Sequence, residues 1–152
     1  MYATFKCLHV LGIALLIGNV TATSVWKVFA DRTRQPSVVA FAQQLVTLTD
    51  WTLTLGGVML TLIGGYGMTW LSGLQLRQSG WLLNGQMLFV VSGMVWLFVL
   101  VPIQYQQATM ARAFDSTGSI STLYWALGRR WIFWGLVATV PLVAAMVVMI
   151  VK

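Results

Sequence analysis

The stretch CLHVLGIALLIGNVTATSVW, residues 7–26, contains no Lys, Arg, Asp or Glu and decides the fold. A helix needs about 20 mostly apolar residues to cross the hydrocarbon core of a bilayer. Barrel strands are shorter and alternate in polarity. We therefore predict an all-α fold, an integral membrane four-helix transmembrane bundle in a single domain, residues 1–152. The four charge-free runs are residues 7–26, 51–76, 78–111 and 131–151. The corresponding spans are predicted near residues 5–28, 50–72, 81–104 and 130–151.

Composition supports the membrane assignment. Of the 152 residues, 59% are hydrophobic and 8% are charged, whereas soluble domains carry about 25% charged residues. The lipid bilayer is therefore the predicted partner. The first run is longer than a signal-peptide core and contains Asn19, so we expect it to be a retained span. The single cysteine, Cys7, excludes an intrachain disulfide.

The basic residues predict membrane orientation rather than nucleic-acid binding. Nine Lys and Arg against three acidic residues give a net charge of +6, and the basic residues flank the apolar runs. Such residues concentrate on the cytoplasmic side. One side holds Lys6, Arg77 and Lys152; the other holds Lys27, Arg32, Arg34, Arg112, Arg129 and Arg130. The second side is predicted to be cytoplasmic. Both termini then face the periplasm of a bacterial inner membrane.

Local signals place the helix ends. Proline is favoured in the first turn of a helix, so the second helix should begin near Pro36. The third helix should continue past Pro102, through YQQATMARAF. DSTGS (115–119) is a turn signal, and Ser121 is a predicted cap of the fourth helix.

Polar and small residues in a span usually face other helices. In the first two helices they recur at steps of three and four, which places them on one face of each helix. Gly57, Thr61 and Gly65 form a small-xxx-small ladder suited to close packing. The predicted inward faces are His9, Gly12, Leu16, Asn19, Thr23 and Lys27 in the first helix, Asp50, Thr54, Gly57, Thr61, Gly64 and Met68 in the second, and Gln86, Gly93, Leu97 and Gln104 in the third.

His9 is the only histidine in the chain, and it is the principal candidate for a ligand. In the predicted topology Met68 and Met87 lie at a similar depth, and His with Met is a known haem ligand pair. The first hypothesis is therefore a redox protein that binds haem b, a quinone or a porphyrin. Its axial ligand would be His9, with Met68 or Met87 opposite and Asn84 or Gln86 as neighbouring hydrogen-bond donors.

Three further polar or aromatic residues are functional candidates. Asp50 is predicted at the cytoplasmic mouth of the bundle, where a carboxylate needs water or a partner. It is interpreted as a cap, a proton entry or a ligand anchor, with Lys27, Arg129 or Arg130 as partners. Asn19 is a polar group within the first span. Trp96 lies deep in the third span, so its indole N–H requires a partner.

Two alternative functions stay open. One is a non-enzymatic accessory or scaffold protein whose polar residues only join helices. The other is a small transport or copper-handling component, because His and Met ligands suit Cu(I). Here His9 would be the metal ligand outside, and Asp50 would act inside. A homo-oligomer or a larger membrane complex is compatible with each function.

Several stretches resemble a bacterial family of predicted integral membrane proteins, number 2269 in the domain-of-unknown-function series. They are LHVLGIALLIGNVTATSVWK (8–27), LTDWTLTLGGVMLTLIGG (48–65), VWLFVLVPIQ (95–104) and MVVMIVK (146–152). The resemblance covers nearly the whole chain. It implies four spans and an inner-membrane location, and it implies no particular activity.

A remoter similarity connects Leu8, His9 and Gly12 to HemJ-type protoporphyrinogen oxidases and CopD-type copper-resistance proteins. The HemJ type carries haem b and oxidises a porphyrinogen ring, which implies haem at His9. The chain has no second histidine. The resemblance therefore requires a His9–Met pair or a homodimer.

Overall fold

The fold is entirely helical over residues 1–74, 79–114 and 118–151, which the computed structural model describes. Each of its four long helices is long and apolar enough to cross a membrane. This confirms the predicted all-α fold with four spans. The helices extend beyond the predicted spans, which were placed over the charge-free runs and so left out the more polar helix ends. They are α1 (Tyr2–Thr33), α2 (Pro36–Ser72), α3 (Gly80–Ala111) and α4 (Thr122–Val151).

A tight link joins α1 to α2. Arg34 ends α1 in the left-handed conformation, with φ at 53°, and Gln35 is extended. Pro36 then opens α2, as predicted, because its ring presets a helical φ and the first turn needs no N–H donor. The result is an antiparallel helix pair.

Two π-helical turns interrupt the helices, at Asp50–Thr54 in α2 and at Trp96–Leu100 in α3. The second lies just before Pro102, which lacks an N–H and whose ring clashes with the carbonyl of Phe98. Widening this turn accommodates the proline. α3 then continues past Pro102, as predicted, and ends at Ala111, three residues before the predicted stretch ends. Within α2, no proline follows the first π-helical turn.

The start of α4 also follows the prediction. Ser121 Oγ accepts a hydrogen bond from the backbone N–H of Tyr124 at 3.2 Å, which is the geometry of a helix cap. Pro141 lies within α4 without ending it. In the predicted turn at 115–119, Gly118 has φ of 62°, while residues 115–117 lie outside the described part of the chain.

The chain forms two units, each built on one helix pair. The first comprises residues 1–74 and 111–120, and the second comprises residues 75–110 and 121–152. That the two form a single transmembrane domain stays a prediction. In the first unit, α1 and α2 pack along the predicted faces, and Gly12, Leu16 and Asn19 of α1 are buried. Phe29 of the same helix is 62% exposed, as expected of a lipid-facing side chain.

The inward face predicted for α3 was partly wrong. Gln104 is buried, but Gly93 and Leu97 are exposed. The packed positions of this helix are instead Leu82, Gly85, Ser92 and Leu100. For Leu97, the π-helical turn rotates residues 96–100 relative to the preceding turns. Gly93 lies in the regular helix before that turn, one position after the buried Ser92.

Candidate functional site

His9 packs against α2 through its ring. Its Nδ1 lies 2.7 Å from the backbone carbonyl oxygen of Thr61. A carbonyl oxygen only accepts hydrogen bonds, so Nδ1 is the donor and carries the proton. In the neutral ring the lone pair is then on Nε2. The ring is partly buried, and its orientation is fixed by this bond.

Two glycines make room for His9. A Cβ atom at Gly65 would lie 3.1 Å from His9 Nδ1, which is tight for a side-chain contact. A Cβ atom at Gly64 would collide with the backbone N of His9. The paired glycines therefore bring α2 into backbone contact with α1, which confirms that the glycines of this segment serve close helix packing.

The other proposed haem residues lie in different parts of the chain. Met68 is half-buried, one helical turn beyond Gly65 on α2. Asn84, Gln86 and Met87 lie near the start of α3, in the second unit. Of these three, Asn84 and Met87 are exposed and Gln86 is half-buried.

A buried polar triangle joins the middle of α1 to the first π-helical turn. Asn19 Nδ2 donates to Asp50 Oδ1 at 3.1 Å and to Thr54 Oγ1 at 2.9 Å. Thr54 Oγ1 donates to Asp50 Oδ1 at 2.9 Å. The residues are 4%, 7% and 2% exposed, respectively. The sequence predicted Asn19 and Asp50 as candidates; the structure brings them together and adds Thr54.

Asp50 lies well along α2 from the first residue of the helix. It stands fourteen residues after Pro36, which at 1.5 Å per residue is about 21 Å along α2. It also meets Asn19, which belongs to the interior of the predicted first span. That Asp50 lies at the cytoplasmic mouth of the bundle, where the apolar run of α2 begins, stays a prediction.

Lys27 forms a second buried polar contact nearer the end of α1. Its Nζ donates to Gln43 Oε1 at 2.8 Å and lies 3.5 Å from Asp31 Oδ2. Lys27 is 1% exposed and Gln43 is fully buried. Sequence analysis missed Asp31 and Gln43. The four-residue spacing of Lys27 and Asp31 was a usable signal, but nothing local indicated Gln43.

The second unit has polar contacts of its own. Ser92 Oγ of α3 donates to the carbonyl oxygen of Ala138 in α4 at 2.8 Å. Gln107 Nε2 donates to the carbonyl oxygen of Tyr124 at 3.4 Å. Trp96 is half-buried and is the first residue of the second π-helical turn. These bonds join α3 and α4 as an antiparallel pair.

Four long apolar helices with polar residues buried at their contacts define an integral membrane protein. The chain belongs to the family described as predicted integral membrane protein (DUF2269), which matches residues 3–152. No curated protein and no solved structure matches the chain. The similarity to HemJ-type and CopD-type proteins stays a prediction.

Proposed function

We propose that this protein is a bacterial inner-membrane haem b protein with a redox role, in which His9 supplies an axial ligand. The supporting observation is the hydrogen bond from His9 Nδ1 to the Thr61 carbonyl oxygen. Histidines that bind metals usually donate their other ring N–H to a carbonyl or carboxylate, which fixes the tautomer and orients the ring. His9 is held in this way, with Nε2 as the ligand atom.

The packing of α1 and α2 limits where the haem can lie. The two helices touch at His9 and Gly64, which leaves no space for a macrocycle between their backbones. Haem would therefore lie beside the contact between the two helices, where the partly buried ring of His9 is accessible. The proposed opposite ligand is Met68 or Met87. The alternative is that a second copy of the chain supplies this ligand. The bound group would supply one-electron redox chemistry.

An absorption spectrum tests the proposal. The protein is purified in detergent from haem-replete cells and measured before and after dithionite reduction. We expect a Soret band with sharpened α and β bands on reduction, and loss of these bands in His9→Ala. Imidazole added to His9→Gly should restore them, because the free ring fills the space of the missing side chain.

Thr61→Ala is the matched control. It removes the hydroxyl but keeps the carbonyl that holds His9, so the spectrum should not change. Met68→Leu and Met87→Leu, made separately, identify the opposite ligand by a shift in the reduced bands. Colourless protein at full yield that also fails to bind added haemin would contradict the proposal.

A second candidate function is that of a non-enzymatic accessory protein. It is favoured by the observation that polar side chains on the buried face of α1 contact α2: His9, Asn19 and Lys27 each do so. Under this function His9→Ala removes one helix contact and lowers stability only a little, and the protein shows no haem absorption before or after the change. A copper-handling role would instead appear as thermal stabilisation by Cu(I) that depends on His9.

A further inference from the structure

Lys6 is the charged side chain nearest to His9 along the chain, and it is exposed. The charged side chains of the described segment 1–74 are Lys6, Lys27, Asp31, Arg32, Arg34 and Asp50. Of these, only Lys6 lies at the His9 end of the helix pair, since α1 runs from Tyr2 past His9 to Thr33. Basic residues concentrate on the cytoplasmic side, which does not account for Lys6 on the predicted periplasmic side.

Within the described segment 1–74, the acidic side chains lie away from Lys6. Asp31 contacts Lys27 near the other end of α1, and Asp50 contacts Asn19. Asn19 lies thirteen residues after Lys6, which is about 20 Å along the helix. The end of the helix pair that holds His9 therefore carries a positive charge, which suits an anionic ligand.

Lys6 lies on the same side of α1 as His9. Helix residues turn by about 100° each, so Lys6 is about 60° from His9 in one direction and Phe5 is about 40° from it in the other. A Cβ atom at Gly67 would collide with the Phe5 ring, whereas one at Gly65 would lie 3.1 Å from His9 Nδ1. Residues 65 and 67 point about 160° apart around α2, so the two rings pack on opposite flanks of the helix contact. Lys6 shares the flank of His9.

Haem b is an anionic ligand of the kind that suits this flank. It carries two propionate carboxylates on one edge, and the rest of its ring is apolar. A carboxylate inside the hydrocarbon is costly, so the propionate edge is expected at the nearer membrane surface. His9 stands seven residues, about 10 Å, from the first residue of α1. Lys6 lies between His9 and that end of the helix.

We propose that Lys6 binds a propionate of the haem whose iron is held by His9. The inference rests on the proposed haem function, and it names the residue that recognises the acidic edge of the ring. A lysine ammonium is a compact charge on a flexible stem, so it can meet a carboxylate at the membrane surface. His9 then selects the metal, and Lys6 selects a porphyrin with free carboxylates.

Titration with two forms of haem separates this contact from the iron ligand. The full-length protein, purified in detergent from haem-depleted cells, is titrated at low ionic strength with haemin and with haem dimethyl ester, whose propionates are neutral. Lys6→Gln should raise the Kd for haemin about fivefold and leave the Kd for the ester unchanged. The difference should shrink at high salt, which screens exposed charges.

Two variants serve as matched controls. Lys6→Arg keeps the charge and should bind haemin nearly as tightly as the unmodified protein does. Arg32→Gln removes an exposed cation at the other end of α1 and should leave both Kd values unchanged.

His9→Ala distinguishes failure of the haem function from failure of this inference. If the unmodified protein binds neither haemin nor the ester, or if His9→Ala binds both with unchanged Kd, the haem function fails and the inference fails with it. If binding requires His9 but Lys6→Gln binds haemin with unchanged Kd, the haem function stands and Lys6 only anchors α1 at the lipid headgroups. Equal weakening of haemin and ester by Lys6→Gln, or an equal loss in Arg32→Gln, would also overturn the inference, because neither depends on the propionate charge.

Discussion

At the scale of single residues, Lys27 shows how the protein keeps a charge buried. The ammonium group is 1% exposed, yet it has Asp31 on its own helix and Gln43 on the next. A buried charge loses its hydration and is tolerated only with partners of this kind. The three side chains therefore depend on one another, and their energies are not additive.

Removing one member of this group should cost more than removing the charged pair. Lys27→Met leaves Asp31 without its cation and should lower the free energy of unfolding by about 3 kcal/mol. The double variant Lys27→Met with Asp31→Asn should recover most of that loss, because no unpaired charge remains. Unfolding in mixed detergent micelles gives the four values of the double-mutant cycle. Additive losses would show that the two charges do not stabilise each other.

At the scale of the elements, the contact between α1 and α2 is set by residues without side-chain bulk. A Cβ atom at Gly57 would lie 2.8 Å from the carbonyl oxygen of Gly12, and one at Gly12 would lie 2.5 Å from the backbone N of Thr61. The helices therefore meet backbone to backbone. Small residues allow this approach in membranes, where van der Waals packing drives helix association.

Alanine at two glycines of α2, two helical turns apart, should have different effects. Gly64→Ala places a methyl group against the backbone of His9 and should destabilise the pair by about 1–3 kcal/mol. At Gly56 an added Cβ meets nothing within 4 Å. Gly56→Ala should therefore be neutral or stabilising, by up to about 1 kcal/mol from helix propensity. Thermal unfolding of the two variants and the unmodified protein measures both changes in stability. Equal effects would mean that the backbone contact at Gly64 does not limit stability.

The faces of α1 and α2 were predictable because glycines, hydroxyls and a few polar side chains recur at helical spacing within otherwise apolar segments. The face of α3 was not, since spacing alone does not separate Gly93 from the buried Ser92 beside it. The π-helical turn that shifts Leu97 is not visible from spacing either. The partner of Asp50 was also unpredictable. Asn19 lies thirty-one residues away, and only the packed helices show that the two meet.

At the scale of the whole molecule, the distribution of basic residues predicts a single orientation. Six of the nine Lys and Arg flank the links 34–35 and 112–121 or lie near them, and three lie on the other side. Basic residues next to spans stay in the cytoplasm. Both links should therefore be cytoplasmic. They must face the same side, because two spans separate them.

Cysteine labelling tests this orientation, since Cys7→Ser leaves a background without cysteine. A single cysteine at Ala3 should react with a membrane-impermeant maleimide on spheroplasts. Single cysteines at Gln35 and Ser119, which are exposed positions in the two links, should react only after the membrane is permeabilised. The opposite pattern would place the termini in the cytoplasm, and with them the end of α1 that carries His9. Labelling at Gln35 but not at Ser119 would contradict the four-span topology itself, because the two links could then not lie on one side.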